Sequence, residues 1–270
     1  MPELPEVETA RRGLEPHVVG RRIESVCVRD PRLRWPVPRQ LSARLAGRTV
    51  HALVRRGKYL LFSLDDGCLL VHFGMTGTLT VCKSQAPPGL HDHVDILLDS
   101  GALLRFHDPR RFGAVLWVDD AARHPLLAHI GCEPLDPAFS GAMLAERARG
   151  KRQPVKAFLM DGRIVAGVGN IYASEALHAA GVHPSRAAGR VSASRWERIA
   201  EAVVHTLAGA ITAGGSTLRD FVGSDGKPGA YQQSHQVYGR EGQGCPTCER
   251  TIRAIRQAGR STFYCPGCQR

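Results

Sequence analysis

Two groups of residues in this 270-residue chain have the types and spacing to do chemistry. The first is the start, Met1-Pro2-Glu3-Leu4-Pro5-Glu6. Methionine ahead of a small second residue is normally trimmed, and its loss would leave Pro2 with a free secondary amine and a carboxylate on the next residue. An α-amino group titrates near pH ~8, so a usable neutral fraction exists at physiological pH. A neutral amine is a nucleophile towards a carbonyl-like carbon. Addition to a sugar C1′ would give a permanently cationic iminium, an electron sink that eases proton loss from the neighbouring carbon. Glu3 is then placed to move protons as general acid or base. Chain termini usually fray, so this reading requires an element that holds Pro2. The second group is Cys245-x2-Cys248-x16-Cys265-x2-Cys268. Two chelating pairs at this separation suit one tetrahedral Zn²⁺, and four protein ligands leave no open position, so the metal is expected to be structural. Arg250, Arg253, Arg256 and Arg260 lie between the pairs, and a basic hairpin tied by zinc would read phosphate chiefly through charge.

The elements that must position these groups are legible as an α+β pattern. Val7, Ala10, Leu14 and Val18 suit one helix face, predicting a helix from Pro5 to His17 that stops at Gly20 and anchors the terminal amine. Short apolar runs, Tyr59 to Leu64, Cys68 to Phe73, Val94 to Leu98, Ala102 to Phe106 and Ala114 to Val118, read as strands. Asp65-Asp66-Gly67 and Asp99-Ser100-Gly101 are turn signals between them, which favours an antiparallel β-sandwich over a parallel sheet. Residues 131–150 read as a linker, with Met143 to Arg149 a first helix and Val155 to Met160 a second. Asn170 is an N-cap candidate for a helix from Ile171 to Ala180. Ser194-x-x-Glu197 is a capping box opening a helix to Ala213, with Trp196, Ile199, Val203 and Leu207 as core. Leu218 to Gln233 has the composition of a loop. The expected domains are therefore 1–130, a helical 151–240 beyond the linker, and a finger over 241–270.

Composition narrows the class. A formal charge of +11 points to a polyanionic partner, and 43% apolar residues suffice for ordinary cores. The start is acidic and proline-rich, unlike a secretory signal, and no apolar run approaches the ~20 residues that span a bilayer. Eight cysteines in this length do not suggest a disulfide scaffold, and Cys27, Cys68, Cys82 and Cys132 read as reduced thiols. The expectation is a cytoplasmic protein without membrane contact.

Several single residues admit two readings. Lys58 precedes a strand and could be a solvated edge cation. His91-Asp92-His93 could be a metal pair, although a structural or phosphate-facing role is favoured because no further ligand stands nearby. Met75, Arg110 and Phe112 lie on two loops, Gly74 to Gly77 and Asp108 to Gly113. Core packing is the ordinary fate of such apolar residues. An apolar wedge and a planar guanidinium could also fill the hole that a flipped base leaves in a stack.

The strings PELPEVETARRGLEP, RRGKYLL, HFGMTG, HDHVD, DPRRFG, GVGNIYASE, SDGKPG and the four-cysteine finger, in that order from residue 2 to residue 268, resemble the formamidopyrimidine-DNA glycosylase family. These are bacterial base-excision enzymes for oxidised purines. The resemblance implies an N-terminal helix on an antiparallel sandwich, a helix–two-turn–helix domain and a zinc finger. It implies a bifunctional glycosylase and AP lyase acting on formamidopyrimidines and 8-oxoguanine in damaged double-stranded DNA held in a basic cleft. Pro2 would be the nucleophile, Glu3 the proton carrier and Glu6 its support, with Lys58 and Arg260 assisting β- and δ-elimination. His91, Lys151 and Asn170 would contact DNA, Met75, Arg110 and Phe112 would occupy the gap, and Glu175 would support the centre. The region of Leu218 to Gln233 would close over the extruded purine. A monomer, nucleoid-associated in a bacterial cytoplasm, is implied as well. Two rivals remain: the sister branch for oxidised pyrimidines, and a zinc-ribbon DNA binder without catalysis.

Overall fold

The amphipathic start folds as α1 (Leu4–Val18), one residue longer at each end than the periodicity predicts. Pro5 sits in the first turn, where a missing N–H costs no hydrogen bond. The face of Val7, Ala10, Leu14 and Val18 is buried. The computed structural model describes residues 1–83, 85–216 and 229–270; most of the stretch from Leu218 to Gln233 lies outside them. Contacts divide the chain into two units, Met1–Ala128 with Ala213–Ala230, and His129–Thr212 with Tyr231–Arg270.

In the first unit α1 is followed by β1 (Ile23–Val28), α2 (Leu41–Leu45), β2 (Ala52–Arg56), β3 (Tyr59–Leu64), β4 (Gly67–His72), β5 (Thr78–Lys83), β6 (Asp92–Leu98), β7 (Ala102–His107) and β8 (Ala114–Val118). Two four-stranded sheets form, in the orders β1-β6-β7-β5 and β2-β3-β4-β8, and every pairing is antiparallel. Both sheets and α1 contribute to one core: Leu60, Phe62 and Leu69 from one side, Leu79, Ile96 and Leu104 from the other. This is the expected sandwich, with three strands and one short helix that the apolar runs did not reveal. β1 buries only Ile23 and follows it with exposed Glu24 and Ser25, and β2 ends in two arginines, so neither forms a continuous apolar run.

The second unit holds α3 (Gly141–Ala148), α4 (Val155–Leu159), α5 (Asn170–Ala179), α6 (Ala193–Thr212), β9 (Arg253–Gln257) and β10 (Arg260–Tyr264). Ser140 caps α3 by accepting the Met143 N–H at 3.2 Å. The expected stripe of α6 is buried, Trp196 lying 5.3 Å from the Phe158 ring. Two capping expectations need correction. Gly169 is the N-cap of α5 and Asn170 its first helical residue. α6 begins at Ala193, which puts Ser194 inside the first turn. Gly214 and Gly215, with φ of 76° and 80°, follow its end. Ala258 and Gly259 make the β9–β10 hairpin with positive φ at both loop positions, 47° and 77°, the type I′ requirement. No helix among the described residues is long and apolar enough to cross a membrane.

Candidate catalytic and nucleic-acid site

The start of the chain is held. Met1 is 47% exposed, but Pro2, Glu3 and Glu6 are buried. Glu6, on the first turn of α1, turns back: its Oε2 accepts the Glu3 N–H at 2.8 Å. Its Oε1 accepts the Ser216 N–H at 2.8 Å. One carboxylate thus satisfies an otherwise orphaned donor at the helix start and ties the terminus to a distant segment. Gly215 lies so close that an added Cβ would fall 3.0 Å from Glu6 Oε1.

Lys58 is half-buried in the two-residue loop joining β2 and β3, with Gly57 at φ 57° supplying the turn. Arg55 registers this hairpin on α1: its Nε donates to Glu8 Oε2 at 3.2 Å and its guanidinium to the Gly57 carbonyl at 3.1 Å. Burial alone would raise the Glu8 carboxyl, but hydrogen bonds from Arg11 and Arg12 and the charges of Arg11 and Arg55 outweigh it and hold Glu8 below its ordinary value. Opposite Tyr59 in the sheet stands His72, a residue the sequence reading passed over. Burial, and then the charges of Lys58 and Arg34, push it down to about 4. It is neutral at pH 7, and its Nδ1 accepts the Gly74 N–H at 3.1 Å.

That bond leads into the two loops carrying Met75, Arg110 and Phe112. Gly74, at φ 60°, lets the backbones touch: a Cβ there would lie 2.3 Å from the Phe112 carbonyl carbon. Asp108, fully buried, joins the loops. Its Oδ1 accepts the Thr76 hydroxyl at 2.7 Å and its Oδ2 the Gly113 N–H at 2.8 Å. Met75 and Phe112 remain 37% and 42% exposed, so core packing is not their role. The Arg110 guanidinium sits 4.8 Å from the Phe112 ring centre, a cation–π arrangement. His93 is buried and its Nε2 donates to the Asp108 carbonyl at 2.8 Å, a structural post. His91 packs edge-on against His107 at 5.9 Å, and His107 pairs with Asp92 at 2.7 Å. Among the described residues, these histidines do not fall in a group able to share a metal.

In the second unit the side chains near Asn170 converge on a residue the sequence reading missed. Lys156, on α4 and 2% exposed, donates to Asn170 Oδ1 at 2.7 Å, Thr262 Oγ1 at 2.8 Å and the Ser261 carbonyl at 3.2 Å. Asn170 Nδ2 donates to the same carbonyl at 3.0 Å. The signal was a lone lysine in the apolar run Val155 to Leu159. Lys156, Asn170, Arg260, Thr262 and Asp161 line a cavity of about 150 Å³; Arg260 opens β10 and is exposed. Lys151 lies upstream on the exposed surface, outside this lining. Glu175, buried, accepts the N–H groups of Gln236, Val237 and Tyr238 at 2.8, 3.0 and 2.8 Å. Its visible work is to fix the segment leading into the finger.

The sulfur atoms of Cys245, Cys248, Cys265 and Cys268 all lie within 4.8 Å of one another. A tetrahedral Zn–S shell with bonds of about 2.3 Å places sulfurs roughly 3.8 Å apart, so the donor set suits zinc. His178 of α5 approaches Cys245 Sγ through Nε2 at 3.5 Å, the kind of outer contact that steadies a thiolate ligand.

Three family models cover nearly the whole chain: the formamidopyrimidine-DNA glycosylase N-terminal domain over residues 1–115, the H2TH domain of the same enzymes over 130–222, and a zinc finger found in FPG and IleRS over 242–270. Sandwich, helix–two-turn–helix block and four-cysteine finger, in this order, define a DNA-repair glycosylase. The formamidopyrimidine-DNA glycosylase of Syntrophotalea carbinolica is 56% identical over 271 residues, covering all of both chains. The crystal structure of the MutM (Fpg) protein from Thermus thermophilus matches with a TM-score of 0.88 at 43% identity, over 99% of this chain and 98% of that one. Lactococcus lactis Fpg in complex with abasic-site DNA matches with a TM-score of 0.91 at 34% identity, over 99% of each chain. The chain belongs to the formamidopyrimidine-DNA glycosylase family and is a DNA glycosylase of base-excision repair.

Proposed function

We propose that the protein excises oxidised purines, formamidopyrimidines and 8-oxoguanine, from double-stranded DNA and then cleaves the abasic strand through Pro2. The observation that carries this reading is the buried, carboxylate-tied start of α1, which holds Pro2 and Glu3 in one place. While Met1 is attached, the Pro2 nitrogen is a tertiary amide and cannot attack. Once Met1 is removed, the amine bonds to C1′ as the C1′–base bond breaks, and the base leaves with a proton. The C1′–O4′ bond then breaks as Glu3 gives O4′ a proton, which opens the sugar to an iminium; the iminium acidifies C2′, Glu3 takes the C2′ proton, and β-elimination expels the 3′ phosphate. A second elimination expels the 5′ phosphate, leaving a one-nucleotide gap. Lys58, His91, Lys151, Asn170 and Arg260 bind backbone phosphates in this reading, Lys58 and Arg260 also aiding the eliminations. Met75, Arg110 and Phe112 take the place of the flipped nucleotide, and Glu6 and Glu175 support the arrangement. One Zn²⁺ on the four finger cysteines supplies rigidity and no reactivity.

Similar structures support damaged DNA as the partner. One is a MutM complex with carbocyclic 8-oxo-G DNA and another a Lactococcus lactis Fpg mutant complex with Fapy-dG DNA. A third, wild-type Lactococcus lactis Fpg with oxidised-pyrimidine DNA, favours a second reading in which pyrimidine lesions are also bound. Incubation with duplexes carrying 8-oxoguanine or thymine glycol, resolved by product ends, separates them. Faster cleavage at 8-oxoguanine with phosphates at both gap ends is expected; a preference for thymine glycol, or glycosylase activity without strand cleavage, would overturn the reading.

A further inference from the structure

Arg111 stands between Arg110 and Phe112, and its backbone is left-handed, with φ 58°. Residues with a Cβ rarely hold this conformation, and it persists where the surroundings over-determine it. Here the Arg111 N–H donates to the Asp108 carbonyl at 3.2 Å. Its guanidinium reaches Asp30 Oδ2 at 2.8 Å. Asp30 is itself fixed. Arg32 clasps it through Nε on Oδ1 at 2.8 Å and its terminal nitrogen on Oδ2 at 2.9 Å, and the Arg32 N–H adds a contact at 3.0 Å. The Asp30 N–H points at the carbonyl of His93, at 3.4 Å, and the ring of that histidine bonds the Asp108 carbonyl. The segment of Asp30 and the loop of Arg111 are thus registered on one buried post and joined again by an ion pair at the surface.

We propose that Asp30 is a positioning residue for damage recognition: through its ion pair with Arg111 it holds the Asp108–Gly113 loop in the conformation that presents Arg110 and Phe112 together. It acts through Arg111 and not on the nucleic acid. The proposal rests on the reading that Arg110 and Phe112 fill the gap left by a flipped nucleotide. Its sign is diagnostic. Removing an acidic side chain from a DNA-binding protein should, by charge alone, tighten binding to any duplex. Loss of the positioning contact should instead weaken binding to a duplex that has a gap to fill.

The test measures dissociation constants of the full-length protein at fixed salt for two duplexes, one with a tetrahydrofuran abasic analogue and one undamaged. The ratio of the two affinities is the readout. Asp30→Asn and Arg111→Gln are each expected to lower the preference for the abasic duplex by about fivefold, the order of one partly exposed ion pair. The double variant should fall no further than either single, because both remove the same contact. An unchanged or raised preference in Asp30→Asn, or single effects that multiply, overturns the proposal. Phe112→Ala separates the two levels: if it also leaves the preference unchanged, the gap-filling reading fails; if it lowers the preference while Asp30→Asn does not, the positioning role alone fails. Should Asp30→Asn not melt cooperatively, Arg111→Gln carries the same test.

Discussion

Glu6 uses both carboxylate oxygens on backbone donors, one at the start of the chain and one at Ser216. An amide there must turn its NH₂ towards one of those donors. Glu6→Gln is therefore expected to cost about 1–3 kcal/mol in denaturant unfolding, the range for an unsatisfied buried donor, and to reduce borohydride-trapped adduct more than DNA affinity. His72 gives a pH signature. Its ordinary value is 6.5 and burial lowers it to about 4. Between these values the unfolded chain takes up a proton that the folded state refuses, so stability falls as pH drops from 6.5 towards 4 and is insensitive to this group above 6.5. His183, lowered by burial and the charge of Arg186, acts in the same direction. His72→Asn, which keeps an acceptor for the Gly74 N–H, should flatten thermal midpoints over that window. At this scale the sequence exposed what is contiguous: Pro2-Glu3 and the paired cysteines carry their chemistry in their spacing. Asp108 and Lys156 do not, because Thr76, Asn170 and Thr262 come from other parts of the chain, and neither does His72, whose shift comes first from burial.

Among the elements, the loops were placed by sequence but their union was not. Gly74 to Gly77 and Asp108 to Gly113 meet because Gly74 has no Cβ and a positive φ. Gly74→Ala should destabilise the protein by more than about 1 kcal/mol, since the backbone conformation and the space both exclude a side chain. Its largest functional effect is expected on affinity for an abasic duplex, measured against undamaged DNA. The sandwich was legible from strands with continuous apolar runs, and β1, β2 and β5 were not, because polar residues interrupt β1 and β5 and β2 ends in charge. The cap position shifted by one residue at α5, to Gly169, and by two at α6, where the helix already starts at Ala193. Asn170 is not needed as a cap; its amide serves Lys156 and the Ser261 carbonyl instead.

For the whole molecule, the charge of +11 implies that affinity for any duplex falls steeply with salt, linearly on logarithmic axes. Metal analysis should find one zinc per chain, released as the finger thiols are titrated with a mercurial. Because the four cysteines would enclose the metal and Glu175 and Lys156 anchor the segments around the finger, removing the zinc is expected to abolish DNA binding. Retention of DNA binding by metal-free protein would show that the finger folds without its ion. The central claim is that Pro2 is the nucleophile, and sodium borohydride tests it directly. Purified protein is incubated with an 8-oxoguanine duplex under reduction, and the covalent adduct is mapped by peptide sequencing. The account predicts an adduct on the Pro2 nitrogen that is lost in Pro2→Gly along with strand cleavage. An adduct on a lysine, or undiminished strand cleavage by Pro2→Gly, would contradict it.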